Sequence, residues 1–292
     1  MRRFHLTRLP RPSARFWRRL EVSLRVSLCP LWWILLLLFA FPRATAQQPA
    51  TEQLPVVSNA SAIHPPPPNY QFPNGLTLIY QAEWRLWTAG TARFTLEDAG
   101  FNMQRITGTA ESSGFVSALY PVHDRFQSVF DRRTSCSQSI NKHAEEGFHK
   151  RETLINFNYA RRKSILDETN LKNSEVKHVE YDIPGCVTDV VSGIFYVGAQ
   201  KLVVGDAYIF PLNDGNKTLD VIVRVESKEQ VKVPAGVFNT IRVAPQASSG
   251  VLKDRGRVWI WYSDDARHIP VQMRARMLWG TLTFKLLSTE QK

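Results

Sequence analysis

Cys136 and Cys186 are two of only three cysteines in this 292-residue sequence, and the third, Cys29, lies ahead of an apolar run from Leu31 to Phe41. If that run belongs to an export signal, the remaining chain keeps an even number of thiols in a compartment that permits disulfides. A Cys136–Cys186 bridge closing a loop of about 50 residues is therefore expected. His143, His149 and His178 nearby raise a zinc site or a Cys/His nucleophile, but their spacing fits no compact ligand pattern, so no metal ligand is assigned. Asp264 and Asp265 are adjacent, and adjacent side chains of an extended chain point opposite ways. Such a pair is poorly placed to act on one bond and reads better as an Asx-type turn. A hydrolase would need His123, Asp124 or His268 to meet a hydroxyl in space. The chain carries no G-x-S-x-G elbow, no H-E-x-x-H and no phosphate-cradling glycine loop. The reading is a non-enzymatic protein with no cofactor, and a hydrolase whose site is invisible in the sequence is the alternative from another class.

The elements that would position these residues are mostly strands. From Leu76 to Leu86, apolar Leu76, Leu78, Tyr80, Ala82, Trp84 and Leu86 alternate with Thr77, Ile79, Gln81, Glu83 and Arg85, a period of two. Turn signals at Ala89-Gly90 and Asp98-Ala99-Gly100 separate this run from strands at 91–96 and 102–111. Similar runs are expected at 125–131, 148–158, 176–181, 206–212, 219–225, 230–233, 238–243, 257–262, 271–277 and 281–287. Only Thr188 to Ala199 has helical spacing, with Val190, Val191, Ile194, Phe195 and Val197 on one side. The predicted fold is mainly β: a large curved antiparallel sheet or incomplete barrel over residues 75–290, with one short covering helix.

The ends of the chain differ in kind. Residues 1–46 hold nine arginines and one acid, which leaves 28 basic and 25 acidic residues after them. The basic surplus is thus concentrated where the chain reads as a signal peptide: a charged stretch, a short apolar run, then Ala44-Thr45-Ala46 before Gln47. That removes the compositional case for a nucleic-acid partner. The long basic stretch also suits an uncleaved inner-membrane anchor through residues 31–41. Residues 47–74, with Pro65 to Pro68, read as a Pro-rich disordered leader. The expected location is the periplasm or cell envelope.

Val258-Trp259-Ile260-Trp261-Tyr262 is apolar on both strand faces, so something must cover each face. The helix at 188–199, a second sheet or a bound apolar molecule would serve. Trp84, Trp259, Trp261 and Trp279 are the candidate lining residues of a concavity for a lipid, acyl chain or apolar peptide. Arg242, Arg274 and Arg276 alternate with apolar neighbours and belong to a wet face, where anionic headgroups are a possible ligand. A scaffold using a free sheet edge is the remaining alternative.

Several of these segments together resemble a known family. Val233-Pro234-Ala235-Gly236-Val237-Phe238-Asn239-Thr240 and the run from Trp259 to Val271 resemble the domain of unknown function 3108 family of secreted bacterial envelope proteins. Tyr80 to Gly90 looks like that family's opening strand and turn, and Asp189 to Tyr196 its single helical segment. The resemblance covers about residues 76–288, and it implies an envelope location and a mostly β fold without assigning an activity. The family's arginine after the aromatic pair of the helix is replaced here by Val197-Gly198-Ala199. A weaker likeness of pattern, sheet plus one helix, links it to periplasmic lipoprotein carriers.

Overall fold

The computed structural model describes residues 61–247, 256–277 and 280–292. The expected signal or anchor over 1–46, the first part of the Pro-rich stretch and Trp279 lie outside the described residues. Among the described residues fifteen strands form one sheet. In chain order they are β1 (Leu76–Trp84), β2 (Trp87–Gly100), β3 (Met103–Ser112), β4 (Val122–Asp131) and β5 (Ser137–Glu146). Next come β6 (His149–Asn158), β7 (Lys163–Asn170), β8 (Glu175–Asp182), the two-residue β9 (Thr188–Asp189) and β10 (Ala207–Asn213). The last are β11 (Thr218–Val233), β12 (Gly236–Ala247), β13 (Arg257–Ser263), β14 (Pro270–Met277) and β15 (Gly280–Gln291). Helix α1 (Gly114–Leu119) joins β3 to β4, and α2 (Val190–Ala199) follows β9 directly.

The spatial order is β8-β7-β6-β5-β4-β3-β2-β1-β15-β14-β13-β12-β11-β10-β9. It is a meander in which β15 returns beside β1, and every pairing is antiparallel except β9 with β10. The alternation that makes these strands is visible in β4, where buried Val122, Asp124, Ser128 and Phe130 interleave with exposed His123, Arg125 and Gln127. Residues expected as two strands at 219–225 and 230–233 are one strand, β11, bent by a register shift between Val225 and Ser227. Strands β5 and β7 were not expected, because their inward positions include Ser137, Lys142, Glu146 and Ser164, which blur the apolar period.

The sheet curls without closing. Gly215, in the β10–β11 turn, sits against the Ile155 and Leu166 side chains of β6 and β7, and the Tyr181 hydroxyl on β8 reaches Asn216 Oδ1 (3.5 Å). The two ends of the sheet therefore meet through side chains and not through a hydrogen-bonded ladder. The consequence is an incomplete barrel with an inner face, an outer face and two rims. The turns β1–β2, β5–β6 and β7–β8, helix α1 and the end of β12 share one rim, called the first rim below, by the antiparallel registers. At the opposite rim lie the β2–β3 turn and the disulfide, with Cα atoms 5.1 Å apart, between Cys136 and Cys186.

The inner face is filled at the opposite rim. Leu78, Tyr80, Leu96, Ile106, Phe130 and Leu286 pack there with no exposure or almost none. Tyr70 and Phe72 belong to the stretch expected to be a solvated leader, yet Phe72 packs edge-on against Phe130 (5.1 Å) and Tyr70 against Phe72. Two aromatics in an otherwise polar and proline-rich segment are enough to dock its end, and Gln104 Nε2 donates to the Pro73 carbonyl (2.9 Å) beside them.

Candidate functional site

Helix α2 crosses the inner face, and its attachment is built from residues distant in sequence. Asp189 caps it: Oδ1 accepts the backbone N–H groups of Val191 (2.8 Å) and Ser192 (3.0 Å). Its Oδ2 accepts the hydroxyls of Ser128 on β4 (2.7 Å), Ser137 on β5 (2.6 Å) and Ser192. All of these groups are buried, so a desolvated carboxylate is repaid by several donors. Further along, the Tyr262 hydroxyl donates to the Ile194 carbonyl (2.6 Å), and His268 Nδ1 contacts the Gly198 carbonyl (2.9 Å). Gly198 has no side chain because a Cβ there would lie 2.8 Å from the His268 carbonyl oxygen. Asp189→Ala should therefore cost at least about 2 kcal/mol, from the lost cap and the orphaned hydroxyls, in a denaturant titration. Asp189→Asn, which keeps Oδ1, should cost less.

Between α2 and the half of the sheet nearer the first rim lies a cavity of about 220 Å³. Val191, Ile194 and Val197 of α2 form one wall, and Phe94, Phe126, Val223, Val243, Ile260 and Phe284 of the sheet form the other. Asp214, Leu219, Ala247 and Val258, all at strand ends by the first rim, complete that end. Phe126 can lie flat against the sheet because it faces Gly108 across the ladder, where any Cβ would fall within the ring. Phe94 packs against the same ring at 5.6 Å.

One wall is charged. Lys142 Nζ on β5 lies 3.3 Å from Asp124 Oδ2 and 3.1 Å from Glu146 Oε1, with all three side chains 5–8% exposed. Asp124 and Lys142 line the cavity. Burial pushes the Asp124 carboxyl up to about 7; Lys142 opposes the shift and Glu146 adds to it. Two carboxylates on one ammonium, inside an apolar wall, hold a proton near neutrality that an exposed aspartate would have lost.

The candidate residues fall in different places. Trp259 and Trp261 point to the outer face, where Arg257 lies over Trp259 (5.5 Å), Arg274 lies over Trp261 (5.3 Å) and Trp261 Nε1 donates to Glu229 Oε1 (2.7 Å). Arg242 shares Glu229 and also pairs with Glu226, so the outer cover of β13 is a layer of arginines and glutamates, not a second sheet. The cavity takes Val258 and Ile260, the opposite set. Trp84 shares the inner face with Tyr80 and Ala82 but packs at the rim and is not a cavity wall. His123 and Asp124 are on opposite faces, and His268 lies at the opposite rim, so these three do not converge. His143 is paired with Glu152 and Glu145, and His178 with Asp167. Among the described residues no cluster of His, Cys, Asp and Glu could hold a metal ion. Asp265 does form the expected local turn: its Oδ1 accepts Arg267 N–H (3.0 Å) and the Ser263 hydroxyl (2.8 Å). Sequence reading missed Lys142 and Glu146, whose signal was two charges at an i, i+4 separation in an unrecognised strand.

The family described as "Protein of unknown function (DUF3108)" matches residues 79–287, which span the sheet, α2 and the cavity. The chain belongs to the DUF3108 family. No curated protein matches it. Among solved structures, this DUF3108 chain is similar to a β-barrel-like protein of the DUF1849 family from Brucella abortus. That match has 9% identity and a TM-score of 0.52, and covers 74% of this chain and 97% of the other. At such identity the likeness is one of fold. A candidate exported protein with a YmcC-like fold from Bacteroides fragilis also matches (8% identity, TM-score 0.34, 76% and 98% covered).

Proposed function

We propose that this DUF3108 protein is a non-enzymatic binder of an apolar ligand in the bacterial cell envelope, with an acyl chain, lipid or apolar peptide held between α2 and the inner face of the sheet. The observation that carries this reading is the cavity. At about 220 Å³ it exceeds the roughly 150 Å³ apolar cavity that takes up benzene, and its wall is mainly aliphatic and aromatic, with Thr109, Asp124, Lys142, Asp214, Gln246 and Arg274 as its polar members. A void of that size in an otherwise filled inner face costs stability that a ligand would restore. The disulfide fits an oxidising compartment.

The rival readings find less support. The cavity lining holds no histidine, serine or cysteine among the described residues, and Asp124 there is engaged by Lys142 and by the Glu145 N–H instead of by a hydroxyl. The free edge strand β8 carries Glu175, Lys177, His178, Glu180 and Asp182, charges that discourage edge pairing by a scaffold partner.

A fatty-acid probe whose emission responds to polarity should bind, and Ala110→Phe should weaken it by about tenfold or more. Ala110 is buried in the cavity wall on β3, so the ring fills space that the ligand would need. The same variant should unfold at equal or higher denaturant concentration, because it fills a void instead of overpacking a core. A variant of normal stability with unchanged probe affinity would place the binding elsewhere.

A further inference from the structure

The first rim differs from the opposite one in what its turns present. Leu86 (96% exposed) and Trp87 (64%) stand on the β1–β2 turn, Phe115 (66%) and Leu119 (65%) on α1, Phe148 (84%) on the β5–β6 turn and Val176 (67%) at the start of β8. These segments are up to about 90 residues apart in sequence but are successive tips of one meander, at the same ends of β2, β3, β6 and β8. Single exposed apolar side chains need no explanation, whereas a row of six along one rim does; the opposite rim exposes Phe101, Val203, Val204 and Val237.

The charges among the tips are mainly basic. Lys172 lies over the Phe148 ring (5.6 Å) and Arg85 over the Trp84 ring (5.4 Å). Arg257 and Arg276 are directly opposed across β13 and β14 at this same end, although like charges in a cross-strand pair repel. An anion near both would relieve that repulsion. Glu111, Glu175 and Asp220 are the exposed carboxylates at this rim, fewer than the exposed bases Arg85, Lys150, Lys172, Arg257 and Arg276, and Glu145 is paired with Lys150.

We propose that the first rim docks on an anionic lipid surface, its apolar tips entering the headgroup boundary and its arginines and lysines contacting lipid phosphates. Aromatic and leucine tips interleaved with long basic side chains match that interface on both counts, since the stems add apolar area while the charges stay in water. Docking in this way faces the hollow end of the inner face toward the membrane, as the cavity is bounded by strand ends of the same rim. The inference stands on tip exposure and charge, and does not require the cavity to hold a ligand.

Hydrogen–deuterium exchange of the protein as exported by its host tests it, with vesicles of phosphatidylcholine alone and with added phosphatidylglycerol. With the anionic vesicles, amides of the β1–β2 turn, α1 and the β5–β6 turn should slow by roughly tenfold, and added salt should reverse the effect. The opposite rim, at Phe101 and Val237, should not change. Leu86→Ser with Phe148→Ser should abolish the slowing while leaving the circular dichroism spectrum intact, as both side chains are exposed. Two results would overturn the proposal: tips that exchange equally fast with and without anionic vesicles, or protection that persists in the double variant. Tip protection in the absence of lipid that grows with protein concentration would also overturn it and assign the rim to contacts between copies.

Discussion

Lys142→Met should destabilise the domain by about 3 to 5 kcal/mol at neutral to alkaline pH, since it strands two buried carboxylates without their shared cation. Methionine matches the length of the lysine stem, so most of the loss is electrostatic. The deficit should shrink in acid, where a proton can neutralise Asp124 in place of the ammonium. The sign follows from Asp124, whose folded carboxyl titrates at about 7, above its ordinary 3.8. Between those values the folded chain binds more protons than the unfolded one. The group's contribution is therefore fully present below about pH 4 and is lost as pH rises through about 7. Asp98 acts in the opposite sense: the Gly100 N–H and Arg132 hold it low, so its contribution is lost as pH falls. The quantity to read is thus the difference between wild type and variant in urea titrations at roughly pH 5 and pH 8. A deficit independent of pH would show that the three groups do not act as a charge cluster. Replacing all three, Asp124→Leu with Lys142→Met and Glu146→Leu, should be close to neutral or stabilising, because no charge then remains to be desolvated.

Breaking the Cys136–Cys186 bridge should cost about 4 kcal/mol, the loop-closure entropy of a 50-residue separation. The effect should be felt most at α2. Cys186 leads into Val187, whose carbonyl accepts Ser137 N–H (2.9 Å), and then into Asp189, the cap of the helix. The bridge thus fixes the approach of the covering helix to β5 before any of its side chains pack. Cys136→Ser with Cys186→Ser should lower the denaturant midpoint and speed amide exchange in α2 more than in β1 or β15. A loss below about 1 kcal/mol would mean that the Asp189 hydrogen bonds alone hold the helix in place.

What the sequence determined by itself was local. Strand patterning in β1 to β3 and in β10 to β15, turn residues such as Gly100 at a left-handed φ of 77°, and the helical spacing of α2 each act within a few residues. Two cysteines remaining once the expected export segment is set aside pointed to one bridge for the same kind of reason, an even count in the compartment that segment would imply. Facing was different. In β13 both faces are apolar, so alternation could separate Trp259 and Trp261 from Val258, Ile260 and Tyr262 but could not say which set turns inward. Tertiary structure decided it: α2 accepts the Tyr262 hydroxyl on one side, and the arginines of β12 and β14 cover the tryptophans on the other. In β5 the inward positions hold Lys142 and Glu146, which look like a solvated face until Asp124 on the neighbouring strand is brought within hydrogen-bonding reach. The apolar rim belongs to the same class. Leu86, Phe115 and Phe148 are isolated residues along the chain, and only the antiparallel meander, which returns every second turn to the same end of the sheet, makes them neighbours.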